Sequence, residues 1–249
     1  MKKIFLFFLA TISILLIVQC APQDSGQKVE SNVNTQSQPE MAIAEYCFQI
    51  TDKITIGAKK VTTTPGQFLQ ENPNVLAVIN GVYYGADDDL PQGTVYLADG
   101  QQLGSGKGSI RGYFTVDQAG NQILVQERLS GKYSDYWLVI GTHPILVYKG
   151  EVHSQAKEER YNLDQQGEKK LAFRSAIGTK DKKDICFTVS KGLISMQEWA
   201  EKLSQAGYYH ALNLDGGPVS ELAVRDGAIV PPGSARVETR LVIFSYYQE

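Results

Sequence analysis

Cysteine is scarce in this chain, at three in 249 residues, and methionine, histidine and tryptophan are as rare, at three, three and two. So little cysteine excludes a disulfide-dense scaffold. His143, His153 and His210 stand apart, with no His-x-His or His-x-x-x-His spacing, so no zinc site is legible. An excess of one charge is also lacking: the net charge of -3 provides neither a basic patch for nucleic acid nor a polyacidic tail. No nucleic-acid partner is expected. The Gly-x-Ser-x-Gly of a nucleophile elbow is absent, and Gly104-Ser105-Gly106-Lys107-Gly108-Ser109 lacks both a strand-turn-helix context and the spacing of a phosphate loop. That stretch reads as a flexible loop. What remains is an ordinary globular composition, 43% hydrophobic and 20% charged, on a chain that fits one large α/β or β-rich unit and shows no internal repeat.

Lys2 and Lys3 precede an apolar run from Ile4 to Val18, which stops at Gln19-Cys20. A charged start, a short apolar stretch and an abrupt polar end make a secretory signal over residues 1–19, since a spanning helix needs about 20 apolar residues. An uncleaved membrane anchor is one alternative, and plain secretion without a lipid is another. Ile17-Val18-Gln19-Cys20 resembles the lipobox of bacterial lipoproteins, although Gln19 stands where a small residue is usual. The resemblance implies lipidation of Cys20 and a place in a bacterial cell envelope. Ala21, instead of Asp, would let a Gram-negative lipoprotein reach the outer membrane, facing periplasm or surface. Residues 20–41 are rich in Ser, Gln, Asn and Pro, bury too little apolar surface to offset ordering entropy, and read as a flexible tether. The folded domain is expected over residues 42–249.

Short apolar runs recur in that domain, among them NVLAVIN, GYFTVD, ICFTVS, HALNLDG and TRLVIFSYY, with Gly, Asn and Asp punctuating the turns. Two helices stand out. Thr64 as a cap, Pro65 at the first helical position and Gln67 three residues after the cap predict a short helix to about Asn72. Ser195-Met196-Gln197-Glu198 is a capping box, and Trp199, Leu203 and Ala206 lead at helical spacing to Gly207 as a C-cap. The expected fold is α/β (α+β): a single strand-rich domain with a mixed sheet and few helices. Cys47 and Cys186 both sit in strand-like runs. They are either a disulfide in an oxidising compartment or two buried thiols packing as small hydrophobes.

The stretch Ala211-Leu212-Asn213-Leu214-Asp215-Gly216-Gly217 puts a carboxylate at the carboxyl end of a strand that follows a helix, where ligands gather in α/β folds. By local chemistry alone, Asp215 is equally a turn aspartate accepting backbone N–H groups. The same stretch resembles the signature of the phosphodiester glycosidase family, and three other segments resemble family motifs in family order. These are Val78-Ile79-Asn80-Gly81-Val82-Tyr83-Tyr84, Gly141-Thr142-His143-Pro144-Ile145-Leu146-Val147 with Gly150, and Arg174-Ser175-Ala176-Ile177-Gly178. The sequence differs at Pro218-Val219, where the family commonly continues with glycine and a hydroxyl residue; Ser220 carries a hydroxyl one step later.

The resemblance implies a hydrolase, a glycosidase that cleaves a sugar from a phosphodiester-linked glycoconjugate. Positive charge then builds on the sugar ring and negative charge on the departing phosphate. Asp215 is the expected carboxylate beside the ring, Arg174 the bidentate partner of the phosphate, and Glu221 a second carboxylate. Asn80 and Asn213 would meet sugar hydroxyls, Tyr83 (with Tyr84) would offer a stacking face, and Gly216 and Gly217 would let backbone approach the ligand. Ser220 and Arg236 are phosphate-binding candidates, with Arg240 a weaker one. Each has a plainer reading: Arg174 paired to a structural carboxylate, Glu221 on an exposed strand, Asn80 in an Asx turn, the tyrosines in the core. No cofactor is expected; Asp87-Asp88-Asp89 offers oxygen ligands of the kind calcium takes, but reads equally as a solvated loop. The alternatives are a non-catalytic glycan- or phosphoglycan-binding lipoprotein on the same scaffold and ordinary glycoside hydrolysis without phosphate.

Overall fold

In the computed structural model, which describes residues 43–85, 91–106, 108, 110–227 and 237–248, the apolar runs pair into three sheets. The expected signal peptide, Cys20, the tether, Asp87-Asp88-Asp89 and Arg236 lie outside those residues. One sheet has six strands in the spatial order Ile43–Gln49, Asp184–Ser190, Ser175–Thr179, His210–Asn213, Ile145–Tyr148 and Glu151–Val152. A second has four: Leu222–Val224, Val75–Asn80, Thr239–Tyr247 and Ile54–Thr63. The third has five: Gln102–Leu103, Thr94–Leu97, Tyr136–Thr142, Gly112–Asp117 and Ile123–Gln126.

The strand-rich character and the few helices agree with the sequence, but the mixed sheet does not. Every pairing between these strands is antiparallel. The physical reason lies in runs such as VLAVIN and HALN, which are apolar without alternation, as strands of a parallel sheet covered on both faces also are. Here antiparallel strands are covered on both faces. Ile145, Ile177 and Leu212 join a central cluster with Ile79, Leu241, Phe114 and Ile140 of the other two sheets. Their chain neighbours Leu146, Ala176 and Ala211 pack with Trp199, Ala200 and Leu203 of the helix Met196–Gln205. In the second sheet Ile79 joins the central cluster, while Val78 packs with Phe68 and Leu69 of the helix Pro65–Glu71. Trp199 is 1% exposed, and truncating so large a buried side chain costs about 3–5 kcal/mol.

Both helices start as their sequences predict. Thr64 Oγ1 accepts from the Gln67 N–H at 3.2 Å. The Glu198 N–H donates to Ser195 Oγ at 3.3 Å, and the Ser195 N–H returns a bond to Glu198 Oε2 at 3.2 Å. Gly207, left-handed at φ 85°, follows the second helix. Cys47 and Cys186 face each other in register across the first two strands of the six-stranded sheet, with Cα atoms 4.1 Å apart, and are disulfide-bonded. That decides between the two readings and ties an edge strand to its neighbour. Among the described residues no helix is long and apolar enough to cross a membrane.

Candidate active site

Strand ends from two sheets meet at one place. The Leu214 N–H donates to the Ser175 carbonyl at 2.9 Å, the Asp215 N–H to the Gly81 carbonyl at 3.0 Å, and the Gly217 N–H to the Phe173 carbonyl at 2.8 Å. Asn80, fully buried at the end of its strand, completes the join. Its Nδ2 donates to the Asp215 carbonyl at 2.8 Å, and its Oδ1 accepts from Ser175 Oγ at 2.7 Å and from the Glu221 N–H at 3.2 Å. Buried polar atoms without partners are costly, so this network fixes where the Asp215 loop sits. Gly217 holds φ 73°, a conformation that glycine adopts without strain.

The loop opens into a cavity of about 350 Å³ lined by Tyr83, His143, Arg160, Tyr161, Lys170, Ala172, Arg174, Met196, Asp215, Gly216 and Gly217. Asp215 Oδ1 accepts from the Gly216 N–H at 2.8 Å. Burial pushes the carboxyl up to about 7, and that N–H pulls the other way without overcoming it. Arg174 is 5% exposed. Its Nε donates to the Ile194 carbonyl and its Nη2 to the Lys170 carbonyl, each at 3.2 Å. Among the described residues no carboxylate pairs with it, and burial pushes its pKa below the usual arginine range while the nearby Tyr83 opposes that shift. A guanidinium stays protonated even so. A Cβ at Gly216 would be crowded by the Phe173 carbonyl oxygen, at 3.1 Å, and would only touch Arg174 Nη1, at 3.8 Å.

Aromatic rings form one wall. Tyr83 stacks on His143 with centroids 5.0 Å apart, His143 meets Tyr161 at 5.8 Å, and the Arg160 guanidinium lies 4.8 Å from the Tyr161 centroid. Asn213 Nδ2 donates to the Tyr83 hydroxyl at 2.5 Å. Burial first, and the charge of Asp215 second, push the Tyr83 phenol well above its usual value, so it is a neutral donor at physiological pH.

Of the residues singled out from sequence, Asp215, Arg174, Tyr83, Gly216 and Gly217 line this cavity together. Asn80, Asn213, Ser220 and Glu221 do not. Asn80 and Asn213 direct hydrogen bonds into the protein, where the first joins two sheets and the second holds Tyr83. Ser220 is buried in the turn after Gly217, its N–H donating to the Gly217 carbonyl at 3.1 Å. Glu221 is 2% exposed, not on an open strand face, and its Oε1 accepts from the Gly66 N–H at the start of the helix Pro65–Glu71. The expected second carboxylate is therefore turned toward a helix N-terminus, where negative charge is favoured. Arg240 pairs with Glu238 at 3.6 Å and lies over Tyr84, outside the lining. His143, Arg160, Tyr161 and Lys170 were not legible as lining residues. His143 lies inside a family-like segment, but a histidine without a partner at ligand spacing signals no site by itself, and residues 157–172 are too polar and aperiodic to signal anything.

The phosphodiester glycosidase family model matches residues 73–244, a span that holds every described residue lining the cavity. The chain belongs to the phosphodiester glycosidase family. Among solved structures, the family member from zebrafish is similar in fold: the catalytic domain of N-acetylglucosamine-1-phosphodiester alpha-N-acetylglucosaminidase, auto-inhibited by its pro-peptide. It is 14% identical with a TM-score of 0.58, over 86% of this chain and 85% of that one. A hypothetical protein from Synechocystis is 16% identical with a TM-score of 0.54, over 83% of this chain and 59% of its own. At such identities the likeness speaks for the fold. No curated protein sequence matches the chain significantly.

Proposed function

We propose that this member of the family is a hydrolase of the bacterial cell envelope, lipid-anchored at Cys20, that cleaves a sugar from a phosphodiester-linked glycoconjugate at the anomeric C–O bond. One observation carries the reading: a partly buried carboxyl with a pKa near neutral shares a cavity with a buried arginine that, among the described residues, has no carboxylate partner. A buried arginine ordinarily requires an anion, and here the substrate phosphate supplies it.

In this scheme Arg174 holds the phosphate oxygens and steadies the charge that arrives as the sugar leaves. Asp215, as the anion, takes a proton from water. The water oxygen forms a bond to the anomeric carbon, the bond from that carbon to the phosphate oxygen breaks, and the electron pair leaves with the phosphate monoester. Phosphate is a good leaving group, so no strong general acid is demanded, and one carboxylate suffices where ordinary glycosidases need two. Tyr83, with its raised pKa, stays protonated beside the ring and presents an aromatic face.

A second reading is favoured by one fact. Asp215 is the single carboxylate among the described residues of the lining, and a non-catalytic phosphoglycan-binding protein on the same scaffold would need no more than that. Turnover of sugar-1-phosphate diesters by the purified protein, with Asp215→Asn and Arg174→Met beside it, separates the two. The hydrolase reading expects both variants to lose turnover; wild-type affinity without turnover, retained in Asp215→Asn, supports the binding protein instead.

A further inference from the structure

The amide of Asn213 decides what the Tyr83 hydroxyl can do. Asn213 is fully buried, and the end of its side chain that meets Tyr83 also meets the Leu214 carbonyl at 2.5 Å and the His143 carbonyl at 3.4 Å. Only Nδ2 fits there, because Oδ1 in the same place would set its lone pairs against two carbonyl oxygens. The orientation leaves Oδ1 buried and without a partner among the described residues, an arrangement that folded proteins ordinarily avoid. Nδ2 therefore donates to the Tyr83 oxygen, at 2.5 Å, and the tyrosine accepts. A phenol that accepts from an amide still has its own O–H to give, and among the described residues nothing takes it.

That free proton belongs to the cavity. Tyr83 lines it with Asp215 and Arg174, and its ring is held by the stack on His143. Burial is the main reason the phenol keeps its proton; the charge of Asp215 adds to that and the charge of Arg174 opposes it, so the hydroxyl lies within the influence of both groups. In the proposed reaction the oxygen between sugar and phosphate joins what Asp215 faces to what Arg174 holds. We infer that Tyr83 is a further catalytic residue, whose hydroxyl donates a hydrogen bond to the phosphate oxygen that leaves the anomeric carbon, with Asn213 as the positioning residue that turns the O–H toward it. This rests on the hydrolase reading for the bond that breaks. No proton changes hands: the phenol O–H bond stays intact, the leaving oxygen takes the electron pair, and the hydrogen bond strengthens as that charge arrives.

Tyr83→Phe in the full chain tests this with little risk to the fold, since the ring stays on His143 and Asn213 Nδ2 keeps its two carbonyl acceptors. With a sugar-1-phosphate methyl diester, kcat should fall by about 10- to 100-fold while KM stays within about threefold, because the bond gains most in the transition state. Asn213→Ala should lower kcat in the wild-type background and add little on top of Tyr83→Phe; equal losses in both backgrounds would mark a merely structural role and remove Asn213 from the inference. Methyl phosphate, the product that carries the transferred charge, reports the same hydrogen bond without turnover, and calorimetry should find it bound about tenfold more weakly by Tyr83→Phe than by the wild type. Unchanged kcat, a loss confined to KM, or no difference between the two proteins toward methyl phosphate would each overturn the inference. If methyl phosphate binding depends on Tyr83 but no sugar phosphodiester is ever hydrolysed, the donor to phosphate stands and the hydrolase reading fails; hydrolysis undiminished in Tyr83→Phe is the reverse.

Discussion

Burying the Asp215 carboxylate has a measurable cost, and removing its charge should reveal it. Burial raises this group from the 3.8 of a free carboxyl to about 7. Between those two values the folded protein keeps a proton that the unfolded chain has released, so stability falls as pH rises through that window and levels off above about 7. At 1.36 kcal/mol per unit, the penalty at pH 8 is on the order of 4 kcal/mol, an upper figure because relaxation and entering water reduce it. Asp215→Asn keeps an oxygen to accept from the Gly216 N–H and carries no charge. Urea unfolding of the wild type and the variant at pH 4 and pH 8 is the assay. The variant should gain roughly 2–4 kcal/mol at pH 8 and almost nothing at pH 4, while turnover falls by about a hundredfold to ten-thousandfold. An equal stability difference at both pH values would refute the buried-carboxylate argument.

Arg174→Lys should keep the charge but lose the planar fork, raising KM and lowering kcat together by about tenfold or more; kinetics indistinguishable from wild type would remove Arg174 from the phosphate. Replacing Cys47 and Cys186 by alanine opens a bond that spans 139 residues of sequence and should cost about 2–5 kcal/mol in chemical unfolding at unchanged kcat per folded molecule. Glu221→Gln should keep kcat/KM within about threefold of wild type and lower stability by about 0.5–1 kcal/mol through the weakened helix N-terminus; a loss of activity as large as that of Asp215→Asn would return Glu221 to the chemistry.

Much of this arrangement was legible in the sequence, for identifiable reasons. The caps at Thr64 and Ser195 are local hydrogen-bond devices, so they read directly from neighbouring residue types. Asp215 and Arg174 stand out in the sequence because they lie in motif segments, whereas their meeting in one cavity needed two separate strand ends to converge. Strand direction was not legible. Apolar runs such as VLAVIN and HALN report that both faces are covered, not which way the neighbour runs, so they fit a mixed sheet as well as the antiparallel ones observed. Asn80 and Glu221 lie outside the cavity lining for a related reason: a polar residue next to an apolar strand signals that it must be satisfied, and only the fold decides whether a ligand or another part of the chain satisfies it. Arg160, Tyr161 and Lys170 reach the cavity from a segment whose position is set by tertiary contacts such as Arg111 with Glu158.

Which bond breaks is the most direct test of the central claim. Hydrolysis of a sugar-1-phosphate diester in water enriched in oxygen-18, followed by mass spectrometry of both products, locates the incoming oxygen. Attack at the anomeric carbon, with Asp215 at the ring and Arg174 on the departing phosphate, predicts the label in the released sugar and none in the phosphate monoester. Label in the phosphate would mean attack at phosphorus and would contradict the assignment of both residues.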